Sequence, residues 1–253
     1  MHLSPLVRGS ARVAAGLLLA ALVVAPATAD DDANAAVMPI QSRPHGQTYG
    51  EWSGAFWQWA TSLPVGENPL FDAPGADGTE GQAGKVWFLG GTFLSTEVAP
   101  GEYVGVADRA ITVPAGTSLF IPIVNAEADT FVDADPNDPN LEAVLRAKAN
   151  ALADAIDTDS LYLKVDGEPV RNLDLYRAES PLTYVPPLPE DNLYGVAAGT
   201  DGYLVGDGYY ATLKPLPVGT HTIEFGGLVD ATDLLGITFE LDVRYTVTVA
   251  PVR

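Results

Sequence analysis

From Gly236 to Val249 the chain reads GITFELDVRYTVTV. Ile237, Phe239, Leu241, Val243, Tyr245, Val247 and Val249 alternate without a break against Thr238, Glu240, Asp242, Arg244, Thr246 and Thr248. Successive side chains of a strand point to opposite faces, so this run puts one face in a core and the other in water. A helix would scatter the same residues around its axis. Half-buried strands of this kind are typical of antiparallel sheets.

Other segments read the same way. KVWFLGGTF (85–93) and EYVGVA (102–107) are separated by Pro100-Gly101, and two β-rich runs in ITVPAGTSLFIPIVN (111–125) are joined by Pro114-Ala115-Gly116, a pattern that predicts a meander. LYLKV and EPVRNLDLY flank Asp166-Gly167, a type I′ hairpin signal because both central residues need positive φ. GYYATLK (208–214) and THTIEF (220–225) follow a proline-rich stretch, 178–201, that reads as a long loop, as does 64–84. Short strands with no βαβ rhythm predict a mainly β fold: an antiparallel β-sandwich or jelly roll with two accessory α-helices.

The first helix is expected at 48–63, where Tyr49, Trp52, Phe56, Trp59 and Leu63 fall at spacings of three and four. Thr48 and Glu51 match a capping box, and Pro64 stops the helix. The second is expected at 141–156, with Leu141, Val144, Leu145, Ala149, Leu152 and Ile156 along one side and Asp138 or Asn140 as its cap.

Arg8 and Arg12, the apolar run Val13–Ala25 and the small-residue pattern Ala27-Thr28-Ala29 together predict a cleaved signal peptide over 1–29. Residues 30–46 read as a flexible lead-in, and 47–253 as one β-sandwich domain. The expected location is therefore secreted or periplasmic, with no membrane insertion after signal removal, since the apolar run falls short of the roughly 20 residues a spanning helix needs. Losing the signal removes two arginines and no acid, so 11 basic side chains face 33 acidic ones, a formal net charge of −22. That field disfavours nucleic acid and anionic lipid as partners. With no cysteine, disulfides and thiolate chemistry are excluded.

YGEWSGAFWQW near the start, VPAGTSLFIPI in the middle and LPVGTHTIEFGG near the end resemble an uncharacterised family of secreted bacterial proteins. The resemblance spans most of residues 48–249 and implies no function. It departs from the family pattern at Phe56 and Glu224, where tryptophan and histidine are common.

Two stretches carry candidate binding chemistry. Asp133, Asp135 and Asn137, with Asp138 and the upstream Asp129, follow the D-x-D-x-N spacing of calcium loops. Asp138 occupies the place of the loop glycine and Val144 that of the bidentate glutamate, so the competing expectation is a solvated turn whose acids cap the next helix. No cofactor is required by the sequence; Ca²⁺ is the candidate. At about 100° per residue, Trp57 lies off the aromatic stripe, where an exposed indole would stack on a sugar. The simpler expectation packs Trp57 under the adjacent long loop.

Enzyme signatures are weaker. Only His45 and His221 lie beyond the expected signal, which excludes H-E-x-x-H, and Ser53 lacks the first glycine of G-x-S-x-G. His221 shares strand parity with Ile223 and Phe225 and is expected to point inward. These readings converge on a non-catalytic module that binds a glycan or another secreted or surface protein. The alternative is a polysaccharide hydrolase with paired carboxylates in a cleft roofed by 64–84 and 178–201.

Overall fold

A computed structural model describes residues 35–72, 74–76 and 78–252. The expected signal peptide lies outside them. The described strands are β1 (Val86–Phe88), β2 (Thr96–Ala99), β3 (Glu102–Pro114), β4 (Ser118–Asp129), β5 (Ile156–Val165), β6 (Glu168–Pro169), β7 (Arg177–Glu179), β8 (Thr183–Val185), β9 (Gly202–Leu213), β10 (Gly219–Ala231) and β11 (Ile237–Ala250). The helices are α1 (Tyr49–Ser62), α2 (Leu141–Asp154) and the single turn α3 (Thr232–Leu235).

The fold is mainly β. One sheet runs β2-β3-β11-β10-β5-β6; the other runs β1-β4-β9-β7, with β8 also paired to β9. The alternating run became β11, where Leu241, Val243, Tyr245, Val247 and Val249 are buried. It lies between β10 and β3, antiparallel to the first and parallel to the second. β1 is likewise parallel to β4. The sheets are thus mixed rather than wholly antiparallel, and the meander expected over 85–125 does not form. The reason lies at Pro114–Thr117, where the turn carries the chain from one sheet to the other instead of folding β4 back onto β3. β3 also runs through Asp108 and Arg109, because Arg109 occupies an inward position between Ala107 and Ile111.

β9 has two differently covered faces. Over Gly206, Tyr210 and Thr212 lies α1: Trp57 touches Gly206, Ser53 Oγ donates to Tyr210 Oη at 2.8 Å, and the Thr212 amide donates to Tyr49 Oη at 3.1 Å. The opposite face, with Val205 and Ala128 of β4, receives Leu145 and Ala149 of α2. Further along, Val124 of β4 approaches Gly227 of β10, where the two sheets close on each other.

α1 begins as expected, with the Thr48 oxygen accepting from the Glu51 amide at 3.1 Å and Glu51 accepting from the Thr48 amide at 2.6 Å. Its glycines have a packing role: a Cβ at Gly50 would strike the Glu179 carbonyl, and one at Gly54 would lie 2.5 Å from Thr183 Oγ1. Residues 35–46, expected as a flexible lead-in, are instead tied down. Val37 bridges to Leu213 and is buried, Tyr49 Oη donates to the Met38 carbonyl, and Trp52 Nε1 donates to that of Pro44. The Asp166-Gly167 turn forms with φ of 54° and 84°. Its second arm is only the two residues of β6, beyond which the Val170 amide still donates to the Leu163 carbonyl at 2.8 Å before Asn172 turns the chain at φ 58°.

Candidate functional site

β1 is three residues long, and its last ladder contact with β4 is Phe88 to Phe120. The following amide, Leu89, donates to the Phe120 carbonyl, and residues 90–93 then leave the sheet. Among the described residues no strand pairs with this side of β4 beyond that point. Pro122, itself buried, suits the unpaired edge because it leaves no N–H without a partner, and a bulge between Pro122 and Val124 turns the strand.

The gap is a slot of about 270 Å³. Phe56 and Trp57 of α1 form one wall, Leu70 and Phe93 another, and Val229, Phe239 and Leu241 of the six-stranded sheet a third; Val124 and Asn125 of β4 close it. Its surface is predominantly apolar. Concave apolar slots with a few polar atoms are where small ligands bind.

Trp57 is part of this wall and not a platform. It is 4% exposed, with its ring against Phe56 at 5.3 Å and Phe93 at 6.4 Å between centroids, and its Cδ1 and Nε1 atoms beside Gly206. Trp57 is buried, as the simpler expectation has it, but against Phe93 and Gly206, which lie outside the 64–84 loop; the exposed indole that sugar stacking requires is not there. The helical-wheel position was off the stripe, but β8 and β9 cover that side as well.

The calcium-type spacing folds as a series of local turns. Asp129 Oδ1 accepts from the Phe131 and Val132 amides at 2.5 and 2.8 Å. Asp133 pairs with Lys148 of α2, Asp135 Oδ1 accepts from Asn137 at 2.9 Å (amide) and 3.1 Å (side chain), and Asp138 Oδ1 accepts from the Asn140 amide at 2.7 Å. The oxygens turn back on their own backbone, and among the described residues no three His, Cys, Asp or Glu side chains converge as a metal site. Nor do they cap α2, whose N-cap Asn140 makes no side-chain cap bond.

Asp129 instead meets a residue the sequence reading passed over. β4 continues four residues past the expected strand end, and Asn125, Glu127 and Asp129 alternate along its α1 face, opposite Gly208, Gly206 and Leu204 of β9. Glu127 Oε2 and Asp129 Oδ2 are both buried without a hydrogen-bond partner, and Tyr194 from the 186–200 loop meets Glu127 Oε1 at 3.4 Å. Burial, reinforced by the negative charges of Asp129 and Asp133, pushes the Glu127 carboxyl well above the usual range. Burial also raises Asp129. The signal available in the sequence was the N-x-E-x-D period of two, the same signal that identified β11.

The histidines do not form an acid–base centre. His45 Nε2 lies 3.0 Å from Ser118 Oγ, but Ser118 is fully buried. His221 is on the expected side of β10 but at its margin, half-buried, with Nδ1 2.7 Å from Asp166 Oδ2 and Nε2 2.9 Å from the Pro217 carbonyl.

Fold and slot together define a two-sheet, mainly β protein with an apolar slot at a strand edge. No protein-family model, no curated protein and no solved structure matches the chain.

Proposed function

We propose that the chain is a secreted or periplasmic non-catalytic binding module whose slot beside β4 takes a small apolar molecule. The observation carrying this reading is the slot itself: about 270 Å³ of space walled by Phe56, Trp57, Leu70, Phe93, Phe239 and Leu241. Protein interiors close such gaps, because each unfilled contact forfeits dispersion energy. A slot kept open at a strand edge, aromatic on one side and aliphatic on the other, suits an occupant with an apolar body. Glycan recognition through Trp57 is disfavoured by the burial of that ring, and Ca²⁺ plays no part in the proposal.

The hydrolase reading has less support. The carboxyl pair that fits it best is Glu127 and Asp129, yet an oxygen of each is enclosed away from solvent, and the other oxygen of Asp129 is committed to two backbone amides. Glycosidase carboxyls stand about 5 Å or more apart, with the sugar between them.

The test is titration with an apolar fluorescent dye such as anilinonaphthalene sulfonate, read by dye emission and tryptophan quenching. The wild type is expected to bind saturably. Val229→Phe, which fills the slot from β10, is expected to bind at least about tenfold more weakly with its melting temperature retained. Non-saturable dye uptake, or equal binding by the two proteins, would overturn the reading.

A further inference from the structure

The two faces of the six-stranded sheet are unlike. Its inner face carries the Phe239 and Leu241 wall of the slot, while the outward residues of β3 and β11 face water. The ladder register fixes which side chains meet on the outer face: Glu102, Val104, Val106 and Asp108 of β3 stand beside Thr238, Glu240, Asp242 and Arg244 of β11. Antiparallel pairing places Thr96 of β2 next to Val104. Most of this face is threonine and charge, as the wet side of a sheet should be.

One corner is different. Leu94, Val98 and Val106 are 43%, 61% and 56% exposed, and with Ser95, Thr96 and Val104 they line a groove of about 360 Å³ on the outer side of β2 and β3. Single exposed apolar residues are ordinary, but several sharing one concave surface mark a contact site. Sheet edges are commonly blunted by bulges and outward charges. β2 has the bulge, between Glu97 and Ala99, but its Glu97 turns back to accept from the Gly101 amide at 3.1 Å, and Val98 is left on the groove.

The rim of the groove is acidic. Glu102 and Asp108 flank the two valines along β3, and Glu240 and Asp242 stand across from them on β11. Asp242 accepts from the Tyr162 hydroxyl at 2.6 Å, which leaves its charge in place. Arg244, the outward basic side chain of these two strands, lies beyond Val106 between Asp108 and Glu224. The centre is therefore apolar and two sides are negative, in a chain whose formal net charge is −20.

We propose that this groove is the docking surface for a basic protein partner, which inserts an apolar side chain among Leu94, Val98, Val104 and Val106 and sets lysines or arginines against Glu102, Asp108, Glu240 and Asp242. An apolar anchor supplies affinity, and a charged rim supplies orientation, encounter rate and rejection of acidic competitors. A second copy of this chain is a poor occupant, because face to face it would bring the same acids against the rim. Nucleic acid is repelled for the same reason. The groove and the slot lie on opposite faces of the sheet, so neither reading depends on the other.

The experiment titrates the nitrogen-15-labelled full chain with a capped peptide carrying one leucine between two pairs of lysines, and follows backbone amide shifts. Saturable shifts are expected over 94–106 and 240–242, with affinity falling as salt is raised. Replacing the peptide's leucine by serine, or making Val106→Lys in the protein, is expected to weaken binding at least about tenfold. Should Val106→Lys fail to fold, Val98→Lys, at a more exposed position, takes its place. Shifts spread over the whole acidic surface, absence of saturation, or equal binding of the leucine and serine peptides overturns the proposal. So does a wild-type dimer in sedimentation that Val106→Lys dissolves, which would assign the groove to a second copy.

Discussion

Two buried polar regions of this molecule are built on opposite terms. Around Arg109, 1% exposed, the guanidinium is well supplied with acceptors. Nε donates to the Asp72 carbonyl at 2.7 Å, Nη1 to Gly90, Gly91 and the Tyr245 hydroxyl at 2.8, 2.9 and 2.8 Å, and Nη2 to Pro69 at 2.7 Å. Tyr245 Oη in turn donates to the Gly90 carbonyl at 2.8 Å. Along the α1 face of β4, by contrast, Trp57, Asn125, Glu127 and Asp129 each keep a buried atom without an ordinary partner. A satisfied network fixes geometry, because every departure from it exposes several broken bonds at once. An unsatisfied row holds its place only through neighbours and is open to change by a proton or a ligand. The first region anchors the irregular chain between α1 and β2; the second is where the molecule can respond.

The largest effect is expected at the satisfied end. Arg109→Met should lower the unfolding free energy by about 4 kcal/mol or more, read as the urea midpoint, since it strands the carbonyls of residues 72 and 91 and takes a donor from those of 69 and 90, which keep the Asp72 amide and the Tyr245 hydroxyl. Arg109→Lys should recover only part of this, because one ammonium cannot reach acceptors arranged around a planar fork. A loss under about 1 kcal/mol would place the 64–94 segment's anchorage elsewhere and remove the contrast.

An intermediate effect is expected where the unsatisfied row meets α1. A Cβ at Gly206 would lie 2.8 Å from Trp57 Nε1 and 2.9 Å from Ser53 Oγ. Gly206→Ala should therefore cost about 1–3 kcal/mol by overpacking and change tryptophan emission by displacing the indole. A neutral substitution would mean that the Trp57 side of the row yields easily, which sharpens the comparison by locating its softness.

How far these regions were legible differs for physical reasons. β11 and α1 were readable because their periods and the Thr48–Glu51 cap are local. The partition of strands between sheets was not, since the Pro114–Thr117 turn looks the same whether it folds a hairpin or crosses between layers. Arg109 reads as an interruption of a strand, although its parity with Ala107, Ile111 and Val113 already placed it inward. Asp129 was singled out as a metal ligand on spacing alone, while Glu127, on the same face of β4, was hidden by ending the strand at Asn125. The slot had no sequence signal, because it arises from where β1 stops.

The smallest effect comes from an exposed counterpart that titrates differently, His221 with Asp166. Burial works against the imidazolium, but the hydrogen bonds to Asp166 and the Pro217 carbonyl outweigh it, and the His221 pKa is raised. Burial likewise opposes the Asp166 charge, yet His221 and the Thr222 amide hold that carboxyl below its ordinary value. The histidine contribution is complete below the imidazole's unfolded value and is lost as pH rises through the folded one. The aspartate contribution is present above the unfolded carboxylate value and is lost on acidification through the folded one. Asp166→Asn keeps a residue suited to the positive φ while removing the charge. Its destabilisation should stay under about 1 kcal/mol, as for a solvent-screened pair, and peak between about pH 4 and pH 6.5. Melting temperatures across that range check it: the difference from wild type should shrink on both sides, whereas the Glu127 contribution declines only with rising pH. A monotonic Asp166→Asn profile would mean that the two carboxyl sites are coupled.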